Sequence, residues 1–334
     1  MDGKQIGTII KGVGGLYFVK MDGGDVVTCR ARGILRKQKV TPLVGDRAEV
    51  SGFLPANNAS SSDSFQGSAP GGRSAGTGGS ESSVGVGGLE SGVGGDFALD
   101  AILPRKNALK RPSVANVDQA LIVAAAASPD PAPQLLDKML VAAEYHGIEP
   151  VLCVNKTDLA PAEELAEIYR AYPVLCVSAA SGEGVEALRE RLRGRTTVFT
   201  GNSGVGKSSL LNCLNPHFLS EAQDAALETG EVSKIGRGRH TTRHVELMEL
   251  DSGGFVIDTP GFGSYELEEI KSGELKDYFP EFCSFEGQCR FRGCAHTGEP
   301  DCAVADAVSG GAVSPERLES YRTLYAALKD KEKW

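Results

Sequence analysis

The stretch "GNSGVGKS", Gly201 to Ser208, has the residue types and spacing of a phosphate-binding loop. Glycines let successive backbone N–H groups turn toward phosphate oxygens with no Cβ in the way. Lys207 brings a point charge to the β and γ phosphates, and the Ser208 hydroxyl is a ligand type that Mg²⁺ accepts. Asn202, Ser203, Gly204, Val205 and Gly206 complete the loop, with Ser209 in the helix it opens. This loop implies a nucleoside triphosphate and leaves the base open.

Three other stretches bear on the base and on the γ-phosphate. "NKTD" ends an apolar run; the Asp158 carboxylate, with Asn155 and Lys156 beside it, can accept from guanine's N1 and exocyclic amine, a pattern adenine does not return. "SAASGEG" at 178–184 follows another apolar run, and a backbone N–H near Ser178 and Ala179 is placed to meet the guanine O6. In "DTPGF", Asp258 is expected to hold Mg²⁺ through water and the Gly261 N–H to sense the γ-phosphate. Between these elements, "GRGRHTTRHVEL" offers Thr241 and Thr242 as the γ-phosphate and Mg²⁺ sensor, and sequence does not choose between them. Phe262 stands where many GTPases keep a water-orienting Gln, and His240 is the nearest titratable candidate for that contact. Together these stretches favour GTP and GDP over adenine nucleotides.

A second cluster lies in the tail, where "CRFRGCAHTGEPDC" spaces Cys289, Cys294, His296 and Cys302 for a closed, structural Zn²⁺ site of three thiolates and one imidazole. Cys283 is a fifth candidate six residues upstream. Cys29, Cys153, Cys176 and Cys213 fall on expected strands or a helix and read as core residues.

The elements that must position these residues follow from periodicity. Four short strands between turns, "QIGTIIKG", "GLYFVKM", "DVVTCRARG" and "DRAEVSG", predict a small barrel or sandwich over 1–54. This piece carries nine Lys and Arg against five Asp and Glu although the chain's net charge is −9. Arg30, Arg32, Arg36, Lys37 and Lys39 form a basic run suited to nucleic-acid phosphate. Of the 44 residues from 55 to 98, 12 are Gly and 10 are Ser, a composition that reads as a flexible insertion, with the last barrel strand near 97–103. From 117 onward strands and helices alternate, which predicts a parallel, doubly wound sheet. Beyond about 270 the chain reads as Cys-rich and loop-like, ending in a polar helix. No secretory start and no stretch of about 18 apolar residues is seen. The expectation is a cytoplasmic protein in a reducing compartment with no membrane partner.

The base-reading "NKTD" precedes the phosphate loop, the reverse of the ordinary order. A sheet tolerates this when the original ends are joined and the chain is reopened elsewhere, because packing follows spatial order. That order, together with "ARGILRK", "PLVGDRAEV", "RPSVANVDQALIV", "GNSGVGKSSLLN", "GRGRHTTRHVEL", "DTPGF" and the Cys-rich tail, resembles the RsgA family of circularly permuted GTPases. The resemblance implies an N-terminal OB-fold over 1–112 interrupted by the insertion. It further implies a permuted GTPase domain over 113–268 and a zinc domain over 269–334 whose ligand pattern starts at Cys289, leaving Cys283 a packed free thiol. It also implies His240 as the hydrolytic residue, and the small ribosomal subunit and its rRNA as partners of a monomeric protein.

Overall fold

Apolar side chains alternate with polar ones along the first strands, and that period of two closes them into a barrel. The computed structural model describes residues 4–52, 97–110, 112–215, 245–258, 267 and 269–333. Strands β1 (Gln5–Val13), β2 (Leu16–Met21), β3 (Val26–Ala31), β4 (Arg47–Ser51) and β5 (Phe97–Ile102) pair in the closed order β1-β2-β3-β5-β4. Ile9, Val19, Val27, Cys29, Ala48, Val50 and Leu99 point inward and fill it. The β3–β5 pairing is parallel and the others are antiparallel. Between β3 and β4 a one-turn helix, α1 (Gly33–Lys37), presents Arg36 and Lys37 to solvent, with Arg30, Arg32 and Lys39 exposed beside it. The Gly/Ser stretch lies outside the described residues except at its end, where β5 takes in Phe97 and Ala98.

A hairpin, β6 (Ala108–Lys110) with β7 (Ser113–Ala115), leads from the barrel into the second unit. There the parallel strands β8 (Gln119–Ala125), β9 (Glu149–Asn155), β10 (Val174–Cys176), β11 (Thr196–Gly201) and β13 (Phe255–Asp258) lie in the order β10-β9-β8-β11-β13. A short antiparallel edge strand, β12 (Met248–Glu249), closes the far side. All seven residues of β8 are buried, as a central parallel strand requires when helices cover both faces. Helices α4 (Val185–Leu192) and α5 (Lys207–Leu214) cover one face. The other is covered by α2 (Pro133–Tyr145) and α3 (Glu163–Ile168). The expected doubly wound sheet is therefore present, with strands in permuted order.

The tail is less loop-like than its sequence suggests. A 3₁₀ helix (Ser272–Tyr278) and helices α6 (Pro280–Cys283), α7 (Ala303–Ser309) and α8 (Pro315–Lys331) surround Phe279, Phe282 and Tyr321. Helix α8 reads as polar, yet Leu318, Tyr321, Leu324 and Leu328 form a buried stripe along it. That core takes in Val141 and Ala142 of α2, so α2 packs the sheet on one side and the tail on the other. No helix among the described residues is long and apolar enough to cross a membrane.

Candidate functional site

The loop between β11 and α5 is shaped by what surrounds it. Gly206 has φ +96°, and a Cβ built there would stand 2.2 Å from the Asn155 Nδ2. Gly201 has φ +145°, and its Cβ would stand 2.2 Å from the Val123 carbonyl oxygen on β8. Both the backbone angle and the close approach therefore demand glycine. Lys207 folds back over the loop, its ammonium donating to the Gly201 and Asn202 carbonyls at 2.8 Å each. Val205 is buried, whereas Ser203, Gly204, Ser208 and Ser209 are exposed at the mouth. The Ser208 hydroxyl, in the first turn of α5, is of the donor type that Mg²⁺ takes.

Asn155, at the end of β9, is 1% exposed and holds the site together. Its Nδ2 donates to the Val205 carbonyl at 2.9 Å, and its Oδ1 accepts from the Ala179 N–H at 3.1 Å. One side-chain amide thus ties the phosphate loop to both base-reading loops. Sequence reasoning expected the N–H near Ala179 to face the base; in this structure the Ala179 N–H is turned to Asn155. Asp158 accepts from the Ser178 hydroxyl at 2.6 Å, which fixes the plane of its carboxylate. Ser178 Oγ accepts in turn from the Ser181 N–H at 3.1 Å, so the second base loop closes on itself. Lys156, at φ +65°, donates its ammonium to the Ser128 carbonyl in the turn after β8. Sequence reasoning passed over that turn, although "SPDP" directly after a strand is a strong turn signal.

Asp258 ends β13 opposite Phe199 of β11, two residues before Gly201, which puts its backbone beside the root of the phosphate loop. Its side chain, and His240, Thr241, Thr242, Gly261 and Phe262, lie outside the described residues.

The tail brings its expected ligands together. The Sγ atoms of Cys289, Cys294 and Cys302 and a ring nitrogen of His296 lie within 4.8 Å of one another. His296 Nδ1 is 3.3 Å from Cys302 Sγ and 3.7 Å from Cys289 Sγ. Zn–S and Zn–N bonds of about 2.3 and 2.0 Å in a tetrahedron imply a nitrogen–sulfur edge of roughly 3.5 Å, which the two separations bracket. Burial pushes the Cys294 thiol up to about 12, so thiolates here call for a cation. Burial also moves His296 below its ordinary value, toward the neutral form that ligates metal. Around the ligands, the Tyr321 hydroxyl donates to the Ala295 carbonyl at 2.8 Å and Arg322 Nε to the His296 carbonyl at 3.2 Å. Glu299 accepts from the N–H groups of Ala295 (3.0 Å), Thr297 (2.8 Å) and Gly298 (3.2 Å). Burial would raise its pKa, but those backbone donors hold the carboxyl down at about 2.

The remaining cysteines divide. Cys29 and Cys153 are buried as expected, but Cys213 is half-buried and Cys176 exposed, because β10 is the sheet edge. Cys283 stands outside the four-ligand group and is exposed rather than packed, at the end of a helix only four residues long.

A parallel sheet that carries a glycine loop with its lysine after β11 and an Asn-Lys-x-Asp loop after β9 defines a P-loop nucleotide hydrolase of the guanine-reading kind, in permuted order. Comparison with known proteins agrees. The model of the RsgA GTPase family matches residues 102–268, and that of the RsgA N-terminal domain matches residues 6–58. This chain belongs to the RsgA family of GTPases. The small ribosomal subunit biogenesis GTPase RsgA of Caldanaerobacter subterraneus subsp. tengcongensis is 43% identical over 333 residues, spanning 98% of this chain and 97% of that one. Its counterpart in Alkaliphilus metalliredigens is 41% identical over 334 residues, spanning 98% and 99%. The crystal structure of YjeQ from Thermotoga maritima superposes with a TM-score of 0.73 at 33% identity, covering 98% of this chain and 99% of that chain. That of YloQ, described as a circularly permuted GTPase, gives 0.72 at 33% identity, covering 98% and 96%.

Proposed function

We propose that this GTPase binds the small ribosomal subunit and its rRNA late in subunit maturation, hydrolyses GTP to GDP and phosphate there, and is stimulated by the subunit. The observation that carries this reading is full-length similarity: relatives named for small-subunit biogenesis align over 98% of the chain at 43% and 41% identity, a span that takes in the barrel and the tail. The barrel over 1–112 offers the exposed Arg30, Arg36, Lys37 and Lys39 to rRNA phosphate. The unit over 113–268 holds the nucleotide, and the unit over 269–334 is braced by one Zn²⁺.

In this reading Asn155, Lys156, Asp158, Ser178 and Ala179 hold the guanine end. Gly201, Asn202, Ser203, Gly204, Val205, Gly206, Lys207, Ser208 and Ser209 cradle the phosphates, whose charge draws Lys207 off the loop carbonyls. Ser208 and one of Thr241 or Thr242 would hold Mg²⁺, with Asp258 reaching it through water, and the ion would supply positive charge to the phosphates. The Gly261 N–H senses the γ-phosphate, and His240 orients the attacking water. Phe262 cannot make that contact, so the site is incomplete until the subunit docks. The protein acts as a monomer in the cytoplasm and leaves the subunit after hydrolysis.

The test is GTP hydrolysis by the zinc-loaded protein, alone and with purified small subunits, with ATP as control. Strong GTP-selective stimulation that His240→Ala abolishes is expected. Hydrolysis unchanged by small subunits, with GTP still bound, overturns the reading in favour of a nucleotide-gated binding module.

A further inference from the structure

One buried cluster is not used by the nucleotide or metal chemistry. Arg317, in the first turn of α8, has a side chain 1% exposed. Its guanidinium donates to Asp137 of α2, whose side chain is also 1% exposed, and to Glu281 of α6 at 2.5 Å. It reaches the Tyr172 hydroxyl at 3.4 Å and lies over the rings of Phe279, Tyr169 and Tyr172, 4.4, 5.3 and 5.5 Å from their centroids. A charge taken so far out of water is costly and is tolerated only where the geometry around it is fixed. What it fixes is α2.

Helix α2 borders the nucleotide site in two places. Its Met139 sulfur accepts from the Thr200 hydroxyl at 3.3 Å, one residue before the phosphate loop begins. The turn Ser128–Ala132 that leads into α2 receives the Lys156 ammonium on the Ser128 carbonyl. Its Pro129 ring lies 3.7 Å from where a Cβ on Gly204 would stand. The join between turn and helix is held from the same cluster, since Tyr169, under the Arg317 guanidinium, donates its hydroxyl to the Pro133 carbonyl at 3.4 Å.

We propose that Arg317, Asp137 and Tyr169 are positioning residues for nucleotide binding: they fix α2, and through it the Ser128–Ala132 turn, against Lys156 and the phosphate loop. The tail then sets how long the nucleotide stays, through packing alone. This rests on the guanine-nucleotide site and not on the ribosomal reading, so a failure of one leaves the other standing.

The experiment measures release of a fluorescent GDP from the full-length, zinc-loaded chain with no subunits present. Arg317→Met combined with Asp137→Asn and Glu281→Gln removes every formal charge of the cluster while keeping its shapes. Release about tenfold faster is expected, with zinc content unchanged. Tyr169→Phe deletes the hydroxyl's ties to Pro133 and to Asp137 and is expected to speed release about twofold. Glu332→Gln weakens the bonds from Glu332 to Ser272, which join two parts of the tail without touching α2, and release is expected to stay at the parent rate. If the combined variant fails to fold, Arg317→Lys, which keeps the charge and loses the fork, is expected to speed release about threefold. Release at the parent rate in the folded cluster variants, or equal acceleration by Glu332→Gln, overturns the proposal.

Discussion

Fourteen consecutive residues, Cys289 to Cys302, carry every ligand of the metal site. The nucleotide site instead takes Asn155 from the end of β9, Ala179 from the loop after β10 and Lys207 from the start of α5. The first is a local site: Cys294 and Cys302 sit in the core with Phe279, Phe282 and Tyr321, and an ion held there would tie fourteen residues without regular helix to that core. The second is an assembled site, in which the sheet sets the positions and one buried amide, Asn155, closes the gaps between loops. The difference teaches why chain order was free to change at one site and not the other. Cutting and rejoining the chain leaves the ends of β8, β9 and β11 side by side, whereas it would scatter ligands that depend on spacing.

Removing the metal gives the sharpest contrast. Apparent binding energies of about 10 kcal/mol or more for structural zinc mean that chelation, or Cys302→Ala, should unfold the region around Phe279, Phe282 and Tyr321 while the six-stranded sheet survives. Limited proteolysis and near-ultraviolet dichroism read this, and an unchanged digestion pattern without zinc would refute the local plan. Lys207→Ala should do the opposite: nucleotide affinity falls on the order of a thousandfold, with zinc content unchanged and stability within about 1 kcal/mol, since its ammonium donates to two loop carbonyls at the mouth of the site.

Asp158→Asn should cost GTP about a hundredfold, by loss of a charge-assisted pair to the base, and should raise affinity for xanthosine nucleotides, whose C2 carbonyl accepts from an amide. Competition titration measures both, and equal loss for GTP and its xanthosine analogue would argue that Asp158 only braces Ser178. Gly206→Ala combines an unfavourable φ with a collision at Asn155 and should weaken GDP about tenfold. The smallest effect belongs to Glu299→Gln, about 1 kcal/mol at neutral pH, read by denaturant titration. The sign follows from a folded carboxyl held at about 2, below the usual carboxylate range: its contribution is present above pH ~4.5 and lost as pH falls toward 2. The parent should therefore lose its advantage over the variant in acid.

Much of this was legible in the sequence because the signals were local. "GNSGVGKS", "NKTD" and the cysteine spacing name their chemistry in a few residues, and the alternation in β1–β5 named the barrel strands. What sequence hid was long-range or short-lived in period. Arg317 and Asp137 are 180 positions apart, and an arginine in a helix rich in charge reads as solvated until its surroundings are known. Helices α6 and α7 run four and seven residues, too short to show a 3.6-residue period. The reach of Asn155 across to the Ala179 N–H depends on β9 and β10 lying side by side, which no local pattern shows.

The most direct test of the account is cosedimentation of the zinc-loaded chain with purified small ribosomal subunits, comparing a non-hydrolysable GTP analogue with GDP. If nucleotide state governs docking, the analogue should hold the chain on the subunit at least about tenfold more tightly than GDP does. Equal retention with the two nucleotides would contradict the claim that hydrolysis drives release.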